Sequence, residues 1–471
     1  MARPKFVQIP PQPLDRFEEL LGDEYAEVER AASRARRLFS GKAIWHVSST
    51  LRGGGVAEIL RSFLPYVRGA GVDTRWAVLR ERAEFFELTK RIHNNLHGDP
   101  GDGGPLDDRE RRLYEATLAE SIAYLTPLLR EGDIVYLHDP QTAGLAPALQ
   151  RAGVRVIWRC HIGADRPNRV VRRAWEFLAR YVAQADAYVF SRRQYIWDVL
   201  DDKRAWVVAP AIDPFSPKNQ EIDSPTVRAI LGTIGLEERH SAAAPAYTRA
   251  DGTPGRVERR AEVLQGAPLP SDAVLVAQIS RWDRLKDPGG VLRCFVEYLR
   301  DSDLHLVLGG PASAAVLDDP EGLAVHSEIA TSWEALPAAV RRRVHLVTLP
   351  MADLDENGAM VNALQRRADV ILQKSLAEGF GLTVAEAMWK ARPVVASRVG
   401  GIQDQIVNGE SGVLIDDPAD LGAFADAILA LAEDRPKAVR LGEAARLRVK
   451  ERFLGVRRLA DYVDLLAGLR R

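Results

Sequence analysis

Two doubly wound α/β domains in tandem are predicted by the chain's length, by short apolar runs alternating with amphipathic stretches, and by a restart of that alternation halfway along. With 471 residues and 46% apolar side chains, the chain exceeds one ordinary domain and can fill more than one core. Apolar runs followed by helical periodicity are the pattern of parallel strands covered by helices. Strands are expected at 42–48, 74–79, 133–138, 154–160, 187–190 and 205–208, with helices between them, as at 56–68 and 172–184. The pattern then pauses at "APAIDPFSPKNQEIDSPT", residues 209–226, whose prolines suit a hinge or interdomain crossing. Residues 237–270, rich in Ala, Arg, Gly and Pro without clear period, read as an irregular insertion or loop. Strands resume at 273–280, 304–310, 344–350, 368–375, 393–397 and 412–415. At the end, Leu459, Tyr462, Val463 and Leu466 recur at helical spacing on an amphipathic helix that must dock on something.

Composition narrows the partners. Lys and Arg total 64 against 65 acids, a net charge of -1, so there is no overall attraction to nucleic acid or to an anionic membrane. An anionic ligand must be held by a local cluster. Cys160 and Cys294 are the only cysteines, too few for a disulfide framework or a cysteine zinc site and consistent with a reducing compartment. The N-terminal stretch has no apolar signal core, and no later run approaches the ~18 apolar residues of a membrane span. A soluble cytoplasmic protein is expected.

Open α/β sheets bind ligands at the carboxyl ends of their strands, so motifs there carry the chemistry. The first strand runs into Gly53, Gly54 and Gly55 ahead of a helix, which lets backbone approach a ligand beside unpaired helix N–H groups. The dinucleotide spacing is missing, and tight strand–helix packing also yields such a turn. The second series opens with a strand leaving through "SRWDRLKDPGG", where Arg281 and Lys286 place two cations on one loop. That suits a diphosphate, whose oxygens a guanidinium engages in pairs. "KSLAEGFGLTVAEAMW", residues 374–389, reads as strand end, glycine loop and helix start. Gly379 and Gly381 free the backbone around Phe380 so that N–H groups turn inward, and the helix start at Leu382 and Thr383 is a second anion site. Glu378 and Glu386 then need a role. A carboxylate is a poor phosphate ligand but a good acceptor for sugar hydroxyls, so the acids fit a sugar nucleotide, Glu386 at the ribose and Glu378 at the sugar. Taken singly, Glu378 reads equally as a capping acid and Glu386 as an exposed helix residue.

The spacing of Glu378 and Glu386, the upstream Arg281 and Lys286, and the double α/β layout resemble the retaining glycosyltransferases of the GT-B fold, family 4, in which two Rossmann-like domains face one another across a cleft. The stretches "SSTLRGGGVAEIL", "EFFELTKRIHNNLHG", "YLHDPQTAGL", "WRCHIGADRPNR" and "PAIDPFSPKN" look like the trehalose-forming synthases among them, from about residue 40 onward. The resemblance implies an N-terminal acceptor domain over 1–212 completed by a C-terminal helix over 452–471, and a donor domain over 213–451. It implies transfer of glucose from a nucleoside diphosphate glucose to free glucose, giving α,α-trehalose, in a homodimer. Arg281 and Lys286 would hold the diphosphate, Glu386 the ribose, and Glu378 with the Gly379 and Phe380 amides the donor glucose. Gly53 to Gly55 would lie beneath the reacting sugar, and His161 would contact it. For the acceptor, "RIHNNLHG" offers His93, Asn94, Asn95 and His97, whose amides and imidazoles match a neutral polyol. One departure is Gly163, where relatives commonly carry an acid; Asp165 follows only later.

Retention needs a carboxylate nucleophile or same-face attack. No residue stands out as the nucleophile, so same-face attack is expected, with the leaving phosphate oxygen taking the proton and closure about 209–226 excluding water. No tightly bound cofactor and no metal site are expected, although Mg²⁺ could assist as a nucleotide counterion. The alternatives are a trehalose phosphorylase on the same scaffold, a nucleotide-sugar epimerase, and a non-catalytic sensor of sugar nucleotides.

Overall fold

A computed structural model describes residues 3–51, 54–239, 241–312 and 321–469. The chain forms two compact units, Met1–Ala211 with Gly455–Arg471, and Ile212–Leu454. Among the described residues, no helix is long and apolar enough to cross a membrane.

The first unit is built on strands β1 (Lys5–Val7), β2 (Ala43–Ser48), β3 (Asp73–Val78), β4 (Ile134–His138), β5 (Arg155–Cys160), β6 (Ala187–Phe190) and β7 (Ala205–Val207), in the sheet order β1-β3-β2-β4-β5-β6-β7. All pairings are parallel except β1 with β3. The central strands are apolar because helices cover both faces of the sheet. One face packs Trp45, Val135, Trp158 and Tyr188 against Phe85, Tyr114 and Phe177. On the other face, Ile44, Trp76 and Val189 meet Leu60, Leu64 and the last helix, Arg458–Gly468. That helix buries Leu459, Val463, Leu465 and Leu466, stacks Tyr462 on Phe63 at 5.0 Å, and pairs Asp464 with Arg34. The order reverses between β2 and β4, both of which start from the centre of the sheet. Such a switch point leaves a crevice at the carboxyl ends of its two strands.

In the second unit a hairpin, β8 (Ala246–Thr248) and β9 (Pro254–Arg256), precedes β10 (Glu262–Leu264), β11 (Leu275–Ile279), β12 (His305–Pro311), β13 (Val344–Leu349), β14 (Val370–Gln373), β15 (Val394–Ser397) and β16 (Val413–Ile415). The sheet runs β10-β13-β12-β11-β14-β15-β16, parallel except for β10, and its switch point lies between β11 and β14.

One expectation needs correction. Residues 237–270 are not irregular: they hold the β8–β9 hairpin and the edge strand β10. The buried carboxylate of Glu356 organises this insertion, accepting from the Glu258 and Arg259 N–H groups at 2.7 and 2.8 Å and pairing with the Arg259 guanidinium. The crossing expected at 209–226 falls where the two units divide, between Ala211 and Ile212, and the rest of the stretch is held by the second unit. Trp389 Nε1 donates to the Asn219 carbonyl at 3.1 Å, Lys390 Nζ to Asn219 Oδ1 at 2.9 Å, and Asn362 Nδ2 to the Pro217 carbonyl at 3.2 Å. The chain enters and leaves this unit at adjacent points, with Ile212 and Leu454 bridged in parallel.

Candidate active site

Ligand chemistry in the second unit is expected at its switch point, and the loops leaving β11 and β14 are tied together there. The Gln278 side chain donates from Nε2 to the Lys286 carbonyl at 2.9 Å and accepts the Lys374 N–H at Oε1, also at 2.9 Å. The Leu376 N–H reaches the Leu285 carbonyl at 2.7 Å. One buried amide thus registers the two loops against each other.

On this frame, Lys286 forms an ion pair with Glu378, the two side chains 15% and 10% exposed. Arg281 lies on the same β11 loop and pairs with Asp283 at 3.2 Å. Asp283 also caps the short turn Arg284–Lys286 by accepting the Leu285 N–H at 2.8 Å. Asp287 adopts a left-handed conformation, φ 47° and ψ 54°, unusual for a residue with a side chain. Two interactions hold it there: it accepts the Gly290 N–H at 2.8 Å and forms an ion pair with Lys374, which is 1% exposed. A buried ammonium requires such a partner. The pair fixes the turn that aims Lys286.

The β14 loop is equally constrained. Gly381, at φ 88° and ψ 64°, ends the loop and begins the helix Leu382–Trp389. A left-handed residue without a Cβ is needed, since a Cβ there would sit 3.1 Å from Ile402 Cγ1. Gln405 Nε2 binds the Phe380 and Gly381 carbonyls at 2.5 and 3.2 Å, and Gly401 N–H the Gly379 carbonyl at 3.2 Å. These bonds hold the carbonyls of the turn in place. Thr383 Oγ1 donates to Gln373 Oε1 at 2.9 Å. Glu386 is buried, 1% exposed, and lies 3.3 Å from Lys218 Nζ.

In the first unit, the loop before the helix Gly55–Gly69 carries Gly54 and Gly55 at its start, whereas Gly53 lies outside the described residues. His161 follows β5; its N–H donates to Asp139 Oδ1 at 2.7 Å, and its Nε2 accepts from Arg159 Nε at 3.1 Å. Burial, and then the Arg159 charge, hold the His161 imidazole well below its ordinary pKa. Burial pushes the Asp139 carboxyl up to about 7. Asp139, at φ 60°, is a second left-handed aspartate, and it follows the switch-point strand β4 as Asp287 follows β11. Gly163 packs so closely on the Tyr195 ring that a Cβ would overlap it, so no acid fits at that position. Asp165 instead pairs with the buried Arg192.

The four candidate acceptor residues do not share one face. His93 and His97 are half-buried neighbours, with ring centroids 5.0 Å apart. Asn94 is buried, and its Oδ1 has no hydrogen-bond partner among the described residues. Asn95 is fully buried, and its amide, oriented to satisfy its surroundings, donates to the Asp99 carbonyl at 3.0 Å and accepts from Arg173 Nη2 at 3.1 Å. The structure therefore assigns Asn95 to the turn that ends the helix Ala83–Leu96.

Sequence reasoning missed Gln278, Asp287, Lys374 and Gln405, the supports behind the site, and Lys218 beside Glu386. For Gln278 and Lys374 the signal was present as polar residues at the ends of apolar strands, positions that bury a side chain only when it is satisfied; Asp287, Gln405 and Lys218 lie at helix ends or in a turn and carry no such signal.

Two Rossmann-like units, with cations and glycine turns at the switch point of the second, define the chain as a glycosyltransferase of the GT-B fold. The fold is shared with an α,α-trehalose-phosphate synthase (UDP-forming) from Burkholderia xenovorans, at TM-score 0.66 and 16% identity over 90% of this chain and 100% of that one. It is shared too with a sucrose-phosphate synthase from Thermosynechococcus elongatus, at TM-score 0.62 and 17% identity over 91% and 99%. Residues 46–197 match the family described as trehalose synthase, N-terminal domain, and residues 355–448 match glycosyl transferases group 1. The chain belongs to the trehalose synthase family: it is 35% identical to a trehalose synthase of Rubrobacter xylanophilus over 94% of both chains, and 32% identical to one of Pyrococcus horikoshii over 97% of this chain and 96% of the relative. A trehalose phosphorylase of Pleurotus pulmonarius is 24% identical over 89% of this chain and 56% of its own length.

Proposed function

We propose that this protein is a retaining glucosyltransferase that joins glucose from a nucleoside diphosphate glucose (ADP-, UDP- or GDP-glucose) to free D-glucose, giving α,α-trehalose. The observation that carries the reading is the Lys286–Glu378 pair set beside the left-handed Gly381 turn. It supplies a cation for the departing diphosphate and a carboxylate for sugar hydroxyls within one built loop pair. Departure of the nucleotide develops negative charge on phosphate and positive charge on the anomeric carbon. Donors fixed in advance around the first are the largest catalytic effect to be expected. Arg281, Lys286 and the amides at Leu382 and Thr383 fill that role, and Glu378 with the Gly379 and Phe380 amides orients the glucose. An ammonium has three donors, so Lys286 can keep Glu378 while binding a phosphate oxygen.

Glu386 is proposed to accept from the ribose hydroxyls, with Lys218 stabilising its buried charge while the site is empty. In the first unit, His161 and the glycine turn containing Gly53, Gly54 and Gly55 serve the reacting glucose. His93, Asn94 and His97 serve the acceptor. The acceptor hydroxyl attacks from the face the nucleotide leaves, and a phosphate oxygen takes its proton. Mg²⁺ acts at most as a counterion of the nucleotide, and the protein works in the cytoplasm as a homodimer.

Incubation with labelled glucose and ADP-, UDP-, GDP- or TDP-glucose is expected to give labelled α,α-trehalose, with one nucleoside diphosphate released per disaccharide. Formation of trehalose only from glucose 1-phosphate, with release of orthophosphate, would instead establish the phosphorylase reading that the Pleurotus relative favours.

A further inference from the structure

A row of imidazoles crosses the carboxyl end of the first sheet. His46 Nδ1, on β2, lies 3.0 Å from His138 Nε2, at the end of β4. His138 Nδ1 lies 3.4 Å from His161 Nε2, which also receives Arg159 Nε at 3.1 Å. The rings meet edge to edge and close to coplanar, with centroids 5.3 and 5.7 Å apart and interplanar angles of 25° between His46 and His138 and 17° between His138 and His161. Tyr136 stacks on His46 at 4.9 Å and lies 6.4 Å from His138.

The direction of this chain follows from its cationic member. A guanidinium only donates hydrogen bonds, so His161 Nε2 is an acceptor and the proton of the neutral ring sits on Nδ1. The single lone pair of His161 Nε2 is shared between Arg159 Nε at 3.1 Å and His138 Nδ1 at 3.4 Å; an unprotonated His138 Nδ1 would set lone pair against lone pair, so His138 Nδ1 carries the proton, which leaves His138 Nε2 to accept from His46 Nδ1. Each ring thus carries its proton on Nδ1. The remaining Arg159 nitrogens are engaged, Nη1 by the Tyr462 hydroxyl and Nη2 by the Val208 carbonyl at 3.1 Å, so the guanidinium cannot swing away. The groups facing the row are Arg159, Asp139, Tyr136 and Tyr462, and burial favours the neutral form of all three imidazoles. At the end of the row, His161 Nδ1 is shielded from solvent and has no hydrogen-bond partner among the described residues. A buried donor left unpaired costs about 1–3 kcal/mol, which a ligand acceptor would recover.

We propose that His46, His138 and Arg159 are positioning residues that lock His161 as the neutral Nδ1–H tautomer, so that it donates a hydrogen bond to a hydroxyl oxygen of the bound sugar and cannot act as a base at that nitrogen. The sugar as ligand rests on the function proposed above; the tautomer does not.

Full-length protein with ¹⁵N-labelled histidine, without substrate, is expected to show His161 protonated at Nδ1 and unprotonated at Nε2 at pH 7.5. The opposite tautomer, or an imidazolium, overturns the proposal whatever reaction the enzyme catalyses. In His138→Asn, whose amide N–H replaces the Nδ1 donor, the His161 Nε2 resonance is expected to stay close to its original position. In His138→Leu it should move toward the value of a nitrogen lacking that hydrogen bond, and an identical resonance in both variants removes His138 from the row. For turnover, His161→Asn keeps an N–H where Nδ1 stood, whereas His161→Asp puts an acceptor of the same shape there. The Asn variant is expected to retain a kcat/KM at least about tenfold above that of the Asp variant. Equal values or the reverse order contradict donation by His161, and should either variant fail to fold, the wild-type resonances still decide.

Discussion

Replacing Lys286 with alanine is expected to lower kcat by about two to three orders of magnitude, the loss typical when one preorganised donor to developing negative charge is removed. Lys286 is firmly fixed at the switch point of the second unit. Its carbonyl is held by Gln278, its neighbour Asp287 by Lys374, and its ammonium by Glu378. Because nothing needs to reorganise as charge builds on the diphosphate, its contribution falls mainly on kcat. The alanine variant also strands the Glu378 carboxylate, which is 10% exposed, so part of the loss could come from that orphaned charge. The double variant Lys286→Ala/Glu378→Gln separates the two effects. It should unfold at the wild-type temperature yet stay as slow as Lys286→Ala, or slower. Steady-state kinetics with saturating donor and thermal unfolding on the same samples check both points. Recovery of kcat in the double variant would show that Lys286 serves only to neutralise Glu378.

The second large effect is acid lability of the first unit. His46, held near 3, and His138 and His161, held well below 6.5, stay neutral in the folded state but bind protons once unfolded. Their folded pKa values are depressed, so their stabilising effect is present above pH 6.5 and is lost as pH falls. Each removes about 1.4 kcal/mol of stability per pH unit below that value. Asp139 works in the opposite sense. Its carboxyl, raised to about 7, binds its proton earlier in the folded state than in the unfolded one, so it adds stability as pH falls from 7 toward 3.8. Three losses against one gain leave a net fall of about 3 kcal/mol per pH unit. In the second unit, His345 is the fully buried counterpart, held near 3, while burial lowers the partly buried His305 and His326 by smaller shifts. Hydrogen exchange followed from pH 7.5 to 5 should therefore show protection lost in β2, β4 and β5 before β11 and β14. Asp139→Asn should steepen the decline of the first unit. Flat protection of β2, β4 and β5 down to pH 5 would mean that these imidazoles are not buried as described.

How much of this was legible in the sequence depends on what each feature depends on. The parallel strands showed as apolar runs because helices bury both faces of the central ones, a requirement written into the strand itself. The edge strands β1 and β10 and the β8–β9 hairpin did not. Each spans only three residues, and the edge strands owe their conformation to hydrogen bonds from β3 and β13; such context is invisible to local pattern. Within the site, Arg281, Lys286, Glu378 and the Gly379 and Gly381 turn could be read because charge and glycine at a strand exit have few structural uses. The Glu386 carboxylate could be picked out, but not its burial against Lys218, which comes from a segment more than 160 positions earlier. His46 and His138 look like stray polar residues in apolar strands. Only the parallel register, which sets His46 beside Tyr136, brings their rings together.

The account stands on the claim that the loops leaving β11 and β14 grip one sugar diphosphate. A crystal structure of the protein with a nucleoside diphosphate and glucose tests this most directly. Phosphate oxygens are predicted about 3 Å from Arg281, Lys286 and the amides of Leu382 and Thr383, with the ribose hydroxyls on Glu386. A nucleotide bound elsewhere, or one whose phosphates bypass Arg281 and Lys286, would contradict it.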